Sequence, residues 1–355
     1  MDCEKYLIPK LEKNNDDVLK MDDYFNIENL RVNFKTFAGE KNILNIERLN
    51  LEKGEAFGLV GESGTGKSVL AQAILGLLST PPGVIESGSI RFDGEDLLAK
   101  NSKELRRIRG KRIAMIFQDP MSTLNPVFTV GTQMIRVIRQ NRGFNKKRAI
   151  QTAIEKIEQV KIPDPEDILR CYPHELSGGQ RQRIIIAMAL SCNAELLIAD
   201  EPTRNLDVTI QAGILKLISR LQRDLQVTVL FIANNLGLVS ATCDRIGILC
   251  GGEIAESGET QRILTSPIHP YTKALIQAMP KDKHSRIEIT DLLNNGENGE
   301  QESRCRAYSF CRDRQQICRQ QVPKLAAVEN FHWVSCHRVS KSGEHQGKVN
   351  WQKKM

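Results

Sequence analysis

The chain has 355 residues, 40% of them hydrophobic and 26% charged, with a net charge of +7. That length holds one large α/β domain and a smaller appendage, and no stretch approaches the ~20 uninterrupted apolar residues of a bilayer span. The basic excess gathers at Arg304, Arg306, Arg312, Arg314 and Arg319, a weak argument for nucleic acid because such an excess more often solvates a surface or faces anionic lipid heads.

Residues 1–24 are polar with both charge signs, and lack the basic start, apolar middle and cleavage site of a secretion signal. They are expected to be a tail of a cytosolic protein. From residue 25 the apolar runs FNIENLRVNF, EAFGLVG, RIAMIFQ, ELLIADEP, TVLFIANN and RIGILCGGEIAESG alternate with helical patterns. Such alternation predicts a sheet with helices on its faces. After Asp119 the pattern turns mostly helical, which predicts an inserted helical subdomain over about 119–190. Beyond Pro280, KDKHSR and NNGENGEQES predict a linker, 281–304, ahead of a cysteine-rich extension, 305–355.

Gly61, Glu62, Ser63, Gly64, Thr65, Gly66, Lys67 and Ser68 spell a phosphate loop directly after the strand EAFGLV. Its glycines let successive backbone N–H groups turn inward around a triphosphate. Lys67 adds a cation for the outer phosphates, and the Ser68 hydroxyl is placed to ligate Mg²⁺. The apolar strand in LLIADEP ends in two carboxylates, so Asp200 is the candidate for the Mg²⁺ shell and Glu201 for orienting or deprotonating the attacking water. A second anion site is predicted at LSGGQ, where Ser177, Gly178, Gly179 and Gln180 open a helix.

With these three motifs, residues 25–280 resemble the ATP-binding cassette (ABC) ATPases. The resemblance implies an α/β, ABC-type P-loop nucleotide-binding domain: a mixed sheet core, an antiparallel β subdomain and a helical subdomain, here with a small Cys-rich C-terminal extension. It implies that the signature Ser177–Gln180 closes on ATP held by another subunit. It further implies that Gln118 senses Mg²⁺ and the transmembrane partner, that Asp207 belongs to a dimer-contact loop, and that Phe34 stacks on adenine, although a strand phenylalanine serves a core equally well. The runs QDPMSTLNPVFTVG and SPIHPYTKALIQAMP are similar to those of oligopeptide, dipeptide and nickel importers. The implied partners are a second ATPase subunit in a heterodimer, two transmembrane permease subunits and an extracytoplasmic substrate-binding protein, with no nucleic acid. The implied place is the cytoplasmic face of the membrane, as a peripheral subunit. A nickel or metallophore importer subunit and a purely regulatory nucleotide-binding subunit remain alternatives. A soluble cassette protein acting on ribosomes or DNA would need tandem cassettes or a long coiled insertion, and the sequence holds neither.

In that family the strand matching TVLFIANN ends in His-Asp, the histidine contacting the γ-phosphate. Here Asn234 stands at the histidine position. Asparagine donates a hydrogen bond but is shorter, cannot become cationic and cannot shuttle a proton. The chain's own site is therefore expected to bind ATP well and hydrolyse it slowly, with the intact Glu201 arguing for retained turnover. Arg204 and Asn205 are a second departure, standing where small residues are common in the family.

Cys305, Cys311, Cys318 and Cys336 fall in a C-x5-C-x6-C-x17-C pattern. Four thiolates suffice for Zn²⁺ or an iron–sulfur cluster. The resemblance extends to peptide-importer tails that carry a [4Fe–4S] cluster, and the wide spacing favours that reading over zinc, with unligated thiols as the third alternative. The other cysteines, Cys3, Cys171, Cys192, Cys243 and Cys250, are scattered and read as small packing residues.

Overall fold

The structure, a computed structural model, describes residues 24–37, 39–279, 304–329 and 331–340. The expected tail before Tyr24, Cys3 within it, all of the expected linker except Arg304, and residues 341–355 lie outside these.

Strands β1 (Phe25–Thr36) and β2 (Gly39–Leu51) form an antiparallel hairpin in which Phe25 faces Leu51. Phe25, Ile27, Leu30 and Val32 are buried and polar residues alternate with most of them, the period of a strand with one wet face. Strand β3 (Ala56–Val60) is buried along its whole length and runs through the phosphate loop into helix α1 (Lys67–Ile74). Strands β4 (Gly83–Phe92) and β5 (Glu95–Asp96) complete a four-stranded antiparallel sheet in the order β2-β1-β4-β5. Helix α2 (Ser102–Ile108), closed by a reciprocal Asn101–Glu104 capping box, leads to β6 (Ile113–Ile116).

Five helices follow in succession: α3 (Pro120–Thr123), α4 (Val130–Arg142), α5 (Lys146–Gln159), α6 (Pro165–Arg170) and α7 (Gly178–Leu190). Side chains of Thr129, Asn145 and Ser177 cap α4, α5 and α7, each accepting from a first-turn amide. The chain then lays down β7 (Leu196–Asp200), α8 (Val208–Leu225), β8 (Thr228–Ala233), α9 (Leu236–Ser240), β9 (Arg245–Cys250), β10 (Glu253–Glu259), α10 (Thr260–Thr265) and α11 (Pro270–Gln277).

Strands β9, β3, β8, β7 and β6 are parallel and make up one side of an eight-stranded mixed sheet, with β6 at its edge. Their near-continuous burial explains why they read as apolar runs without alternation. One core cluster fills the space between this sheet and the helical unit, with Val60, Ile116, Ile184, Ile186 and Phe231 in it. The other, with Phe25, Ile27, Phe57, Leu59, Leu70 and Phe92, lies between the two sheets around α1. Each fully buried Leu, Ile or Phe contributes ~1.5–3 kcal/mol. The carboxyl ends of the parallel strands are thereby held rigid, and the segments carrying Gly61–Ser68, Glu201 and Asn234 begin there.

The cysteine-rich extension is more than an appendage. Its strands β11 (Leu325–Glu329) and β12 (His332–Ser335) continue the main sheet beyond β10, in the order β11-β12-β10-β9-β3-β8-β7-β6. The junction is pinned by a buried pair, His332 Nε2 to Glu256 Oε1 at 2.8 Å. The Glu256 carboxylate also accepts the amides of Ile268 and His269 at 2.9 Å each. Burial alone would raise the Glu256 carboxyl, but these hydrogen bonds outweigh it and hold the group below the usual carboxylate range.

Candidate nucleotide site

The phosphate loop connects β3 to α1 with Gly64 at φ 82° and Gly66 at φ 99°, left-handed values that cost a side chain ~1–2 kcal/mol. Space is as strict as angle. A Cβ on Gly66 would lie 2.6 Å from Leu44 Cδ2, and one on Gly61 2.4 Å from the Leu249 carbonyl oxygen. The Thr65 hydroxyl donates to the Glu62 carbonyl at 2.8 Å, closing the turn.

Lys67 is buried at the start of α1, its Nζ donating to the carbonyls of Gly61 at 2.7 Å and Glu62 at 2.6 Å. Burial pushes the ammonium down to about 8, with Glu201, Asp200 and Glu62 partly opposing that. A bound triphosphate raises it again, so the bound form takes up a proton. ATP affinity is therefore full below pH 8 and falls as pH rises through the free-state value towards the bound-state one. The expected loss is up to about tenfold per pH unit above 8. Calorimetric titrations at pH 7, 8 and 9, in buffers of different ionisation enthalpy, read both affinity and proton uptake; a flat affinity with no uptake would contradict it.

Asp200 ends β7, buried. Burial raises its pKa, opposed first by a hydrogen bond from the Ser68 hydroxyl. Its Oδ1 is buried with no hydrogen-bond partner. An orphaned carboxylate oxygen beside a serine hydroxyl is a hard oxygen donor set, so Ser68 and Asp200 fit the implied Mg²⁺, while Gln118 bonds the adjoining Glu201. When bound, Mg²⁺ would draw charge from the transferring phosphate.

Glu201 adopts φ 44°, a left-handed conformation that a non-glycine residue holds only where its surroundings impose it. Its Oε2 accepts Gln118 Nε2 at 2.8 Å and Arg204 Nη1 at 3.3 Å. Gln118 and Glu201 are thus brought together across 83 residues of sequence. Asn234 follows β8 and shares with Glu201, Arg204, Gln211 and Asn235 a cavity of about 160 Å³. Asn235 turns away and caps α9 through the Gly237 amide at 2.8 Å.

The signature lies on a different element. Ser177 caps α7 in a reciprocal box with Gln180 and is exposed. Gly178 and Gly179 approach Leu206 and Ile210 respectively, where a Cβ would meet side-chain carbons at 3.3 and 3.2 Å. Asp207, the cap of α8, is exposed, as are Val208 and Ile210 behind it. Phe34 is half-buried and packs against the core between the two sheets, whereas Phe37 at the β1–β2 turn is fully exposed.

Two features escaped the sequence reading. Tyr271, in the SPIHPY stretch, is buried with its hydroxyl against the Glu62 backbone amide and its ring 5.6 Å from that of Phe310, so the cysteine-rich extension reaches the phosphate loop through one aromatic pair. Pairing between Arg204 and Glu201 is the other; their spacing of three residues was the available signal.

The tail thiols Cys305, Cys311, Cys318 and Cys336 gather in one region. Burial pushes Cys305 up to about 12, and the nearby thiols of Cys318, Cys336 and Cys311 add to the shift. Among the described residues, however, no three His, Cys, Asp or Glu side chains are arranged to hold a metal ion. The donor chemistry fits the expected cluster; a preformed cage is not there.

A phosphate loop, an acidic strand end and a serine-capped signature helix on an inserted helical unit define an ATP-binding cassette. The dimeric, ADP- and Pi-bound cassette MJ0796 superposes on it with a TM-score of 0.59 and 26% identity, covering 66% of this chain and 98% of that one. The ABC transporter family profile matches residues 44–204, and that of the oligopeptide/dipeptide transporter C-terminal region matches residues 255–318. Relatives include the oligopeptide transport ATP-binding protein OppD of Bacillus subtilis, 41% identical over 87% of either chain. The dipeptide transport ATP-binding protein DppD of the same organism is 40% identical over 92% of this chain and 97% of its own. The chain belongs to the ATPase subunits of the oligopeptide/dipeptide importer family of ABC transporters. Among the described residues no helix is long and apolar enough to cross a membrane.

Proposed function

We propose that this chain is an ATP-binding subunit that energises peptide import, pairing with a second, different ATPase subunit beneath two permease subunits fed by an extracytoplasmic binding protein. The observation that carries the reading is a complete phosphate loop and acidic pair in the same chain as an exposed, correctly capped signature helix, in a member of this family. Supporting it, Val208 and Ile210 offer apolar surface beside the signature for a second cassette. A groove of about 1130 Å³ on the helical unit, bordered by Arg136, Arg139, Phe144, Ile150 and Leu169, offers the permeases a docking surface. Peptide-stimulated ATPase of the reconstituted transporter, with uptake of labelled di- and oligopeptides into vesicles, tests the reading. Uptake of nickel or a metallophore with no response to peptide would favour the alternative.

The chain's own site is the slower of the two, because Asn234 cannot replace an imidazole at the γ-phosphate. Adenine is stacked by exposed Phe37, with Phe34 kept for the core. Phe37→Ala is then expected to weaken ATP binding by roughly tenfold, the ~1–3 kcal/mol of a base–aromatic stack, and to leave Tm unchanged. Phe34→Ala should lower Tm first; the opposite pattern in a fluorescent-nucleotide titration would return the role to Phe34. For the tail, the reading is a [4Fe–4S] cluster held by Cys305, Cys311, Cys318 and Cys336, with a structural or redox-sensing role. Iron and acid-labile sulfide assays on anaerobically purified protein test it, and stoichiometric zinc or no metal would sink it.

A further inference from the structure

We propose that Arg204 is a positioning residue that restrains the catalytic carboxylate of this chain's own site. The inference rests on the ATPase reading above and deepens it. Glu201 is the group whose carboxylate would orient the water or take its proton. One of its two oxygens, Oε2, is engaged twice, by the Gln118 amide at 2.8 Å and by the Arg204 guanidinium at 3.3 Å. Both donors converge on a single oxygen, leaving Oε1 as the one for other work. The Glu201 side chain is only 11% exposed, so the ion pair is screened less than a surface pair, while Arg204 reaches it from a side chain 49% exposed.

The backbone favours this contact. Glu201 at φ 44° begins a tight turn in which the Arg204 amide bonds the Glu201 carbonyl at 3.0 Å, and Asn205 at φ 60° follows. Three residues of separation across that turn bring the guanidinium back over the carboxylate. A small side chain at position 204 could not do so. Arg204 also borders the cavity shared by Glu201 and Asn234, the space next to the carboxylate. A permanent cation at this position stabilises the carboxylate in place and competes with water for its lone pairs. Asn234 lacks the imidazole at the phosphate and Arg204 tethers the carboxylate through Oε2, so two separate features slow the same site.

The experiment uses the assembled transporter with the partner's catalytic glutamate changed to glutamine, so that turnover reports this chain's site. Arg204→Ser and Arg204→Gln are expected to raise kcat about tenfold, part of the ~10² to 10⁴ that a positioned base contributes, with KM for ATP within about twofold. Arg204→Lys keeps a cation beside Glu201 and is expected to stay near the parent rate. An unchanged or lower kcat in the Ser and Gln variants overturns the proposal, as does Arg204→Lys speeding up as much as Arg204→Ser. Nucleotide binding by fluorescent ATP analogue is measured alongside. Failure to bind ATP in the parent transporter would count against the ATPase reading, whereas binding with unaltered kcat in the variants counts against Arg204 alone.

Discussion

Replacing Asn234 with histidine is expected to raise turnover at the site built on Lys67, Asp200 and Glu201 by about two decades. The chemistry demands charge stabilisation where the phosphoryl group transfers, and one preorganised donor there is worth ~3–4 kcal/mol. Positions 234 and 201 line the same cavity, so an imidazole at 234 would extend towards the carboxylate and the proposed γ-phosphate position. Asparagine is too short to bridge them and offers no cation. Folding should not suffer, because Asn234 is exposed and β8 ends at Ala233. The measurement is steady-state ATPase of the transporter whose partner carries glutamine at its catalytic carboxylate. A parent rate already comparable to that of an unmodified transporter, unimproved by Asn234→His, would mean that Glu201 and Gln118 suffice and both sites turn over.

What could be read from the sequence was whatever its chemistry compresses into a short contiguous stretch. Gly61 to Ser68, Asp200 with Glu201, and Ser177 to Gln180 each need particular residue types at fixed spacing, because backbone amides, a cation and carboxylates must meet a phosphate within a few ångströms. The parallel strands were equally legible, since burial on both faces leaves apolar runs such as β3 and, up to Asp200 at its end, β7. The edge of the sheet was not. Strands β11 and β12 span five and four residues, too short for alternation to register, and His332 there reads as polar although it is buried against Glu256. Tyr271 was invisible for another reason: its partners Glu62 and Phe310 are distant in sequence, and only the fold brings them together. With Phe34 and Phe37, the aromatic content of β1 was clear, but which ring is spent in the core depends on strand register and on the turn.

Gly179→Asp should abolish the transporter's main ATPase activity, by about three decades, while leaving ATP binding at the Lys67 site intact. Gly179 is the second residue of α7 and is buried, behind the exposed cap Ser177; the helix's first-turn amides and dipole make an anion site there. A carboxylate there places a like charge where, on the proposed reading, a partner's γ-phosphate would dock, and its Cβ would lie 3.2 Å from Ile210 Cγ2 on the neighbouring helix α8. Losing one oxyanion-type donor costs ~10² to 10³ in rate, and electrostatic repulsion adds to that. The variant's phosphate loop, Asp200 and Glu201 are untouched, so fluorescent-nucleotide binding should retain the component sensitive to Lys67→Ala. This separates the chain's two roles. If the Asn234 site contributes little turnover, disabling the signature must cost nearly all of it, and adding Asn234→His to Gly179→Asp should recover only the rate that Asn234→His creates at the other site. More than about a tenth of the parent activity surviving in Gly179→Asp would require the two sites to be functionally alike, contrary to the asymmetry inferred from Asn234 and Arg204.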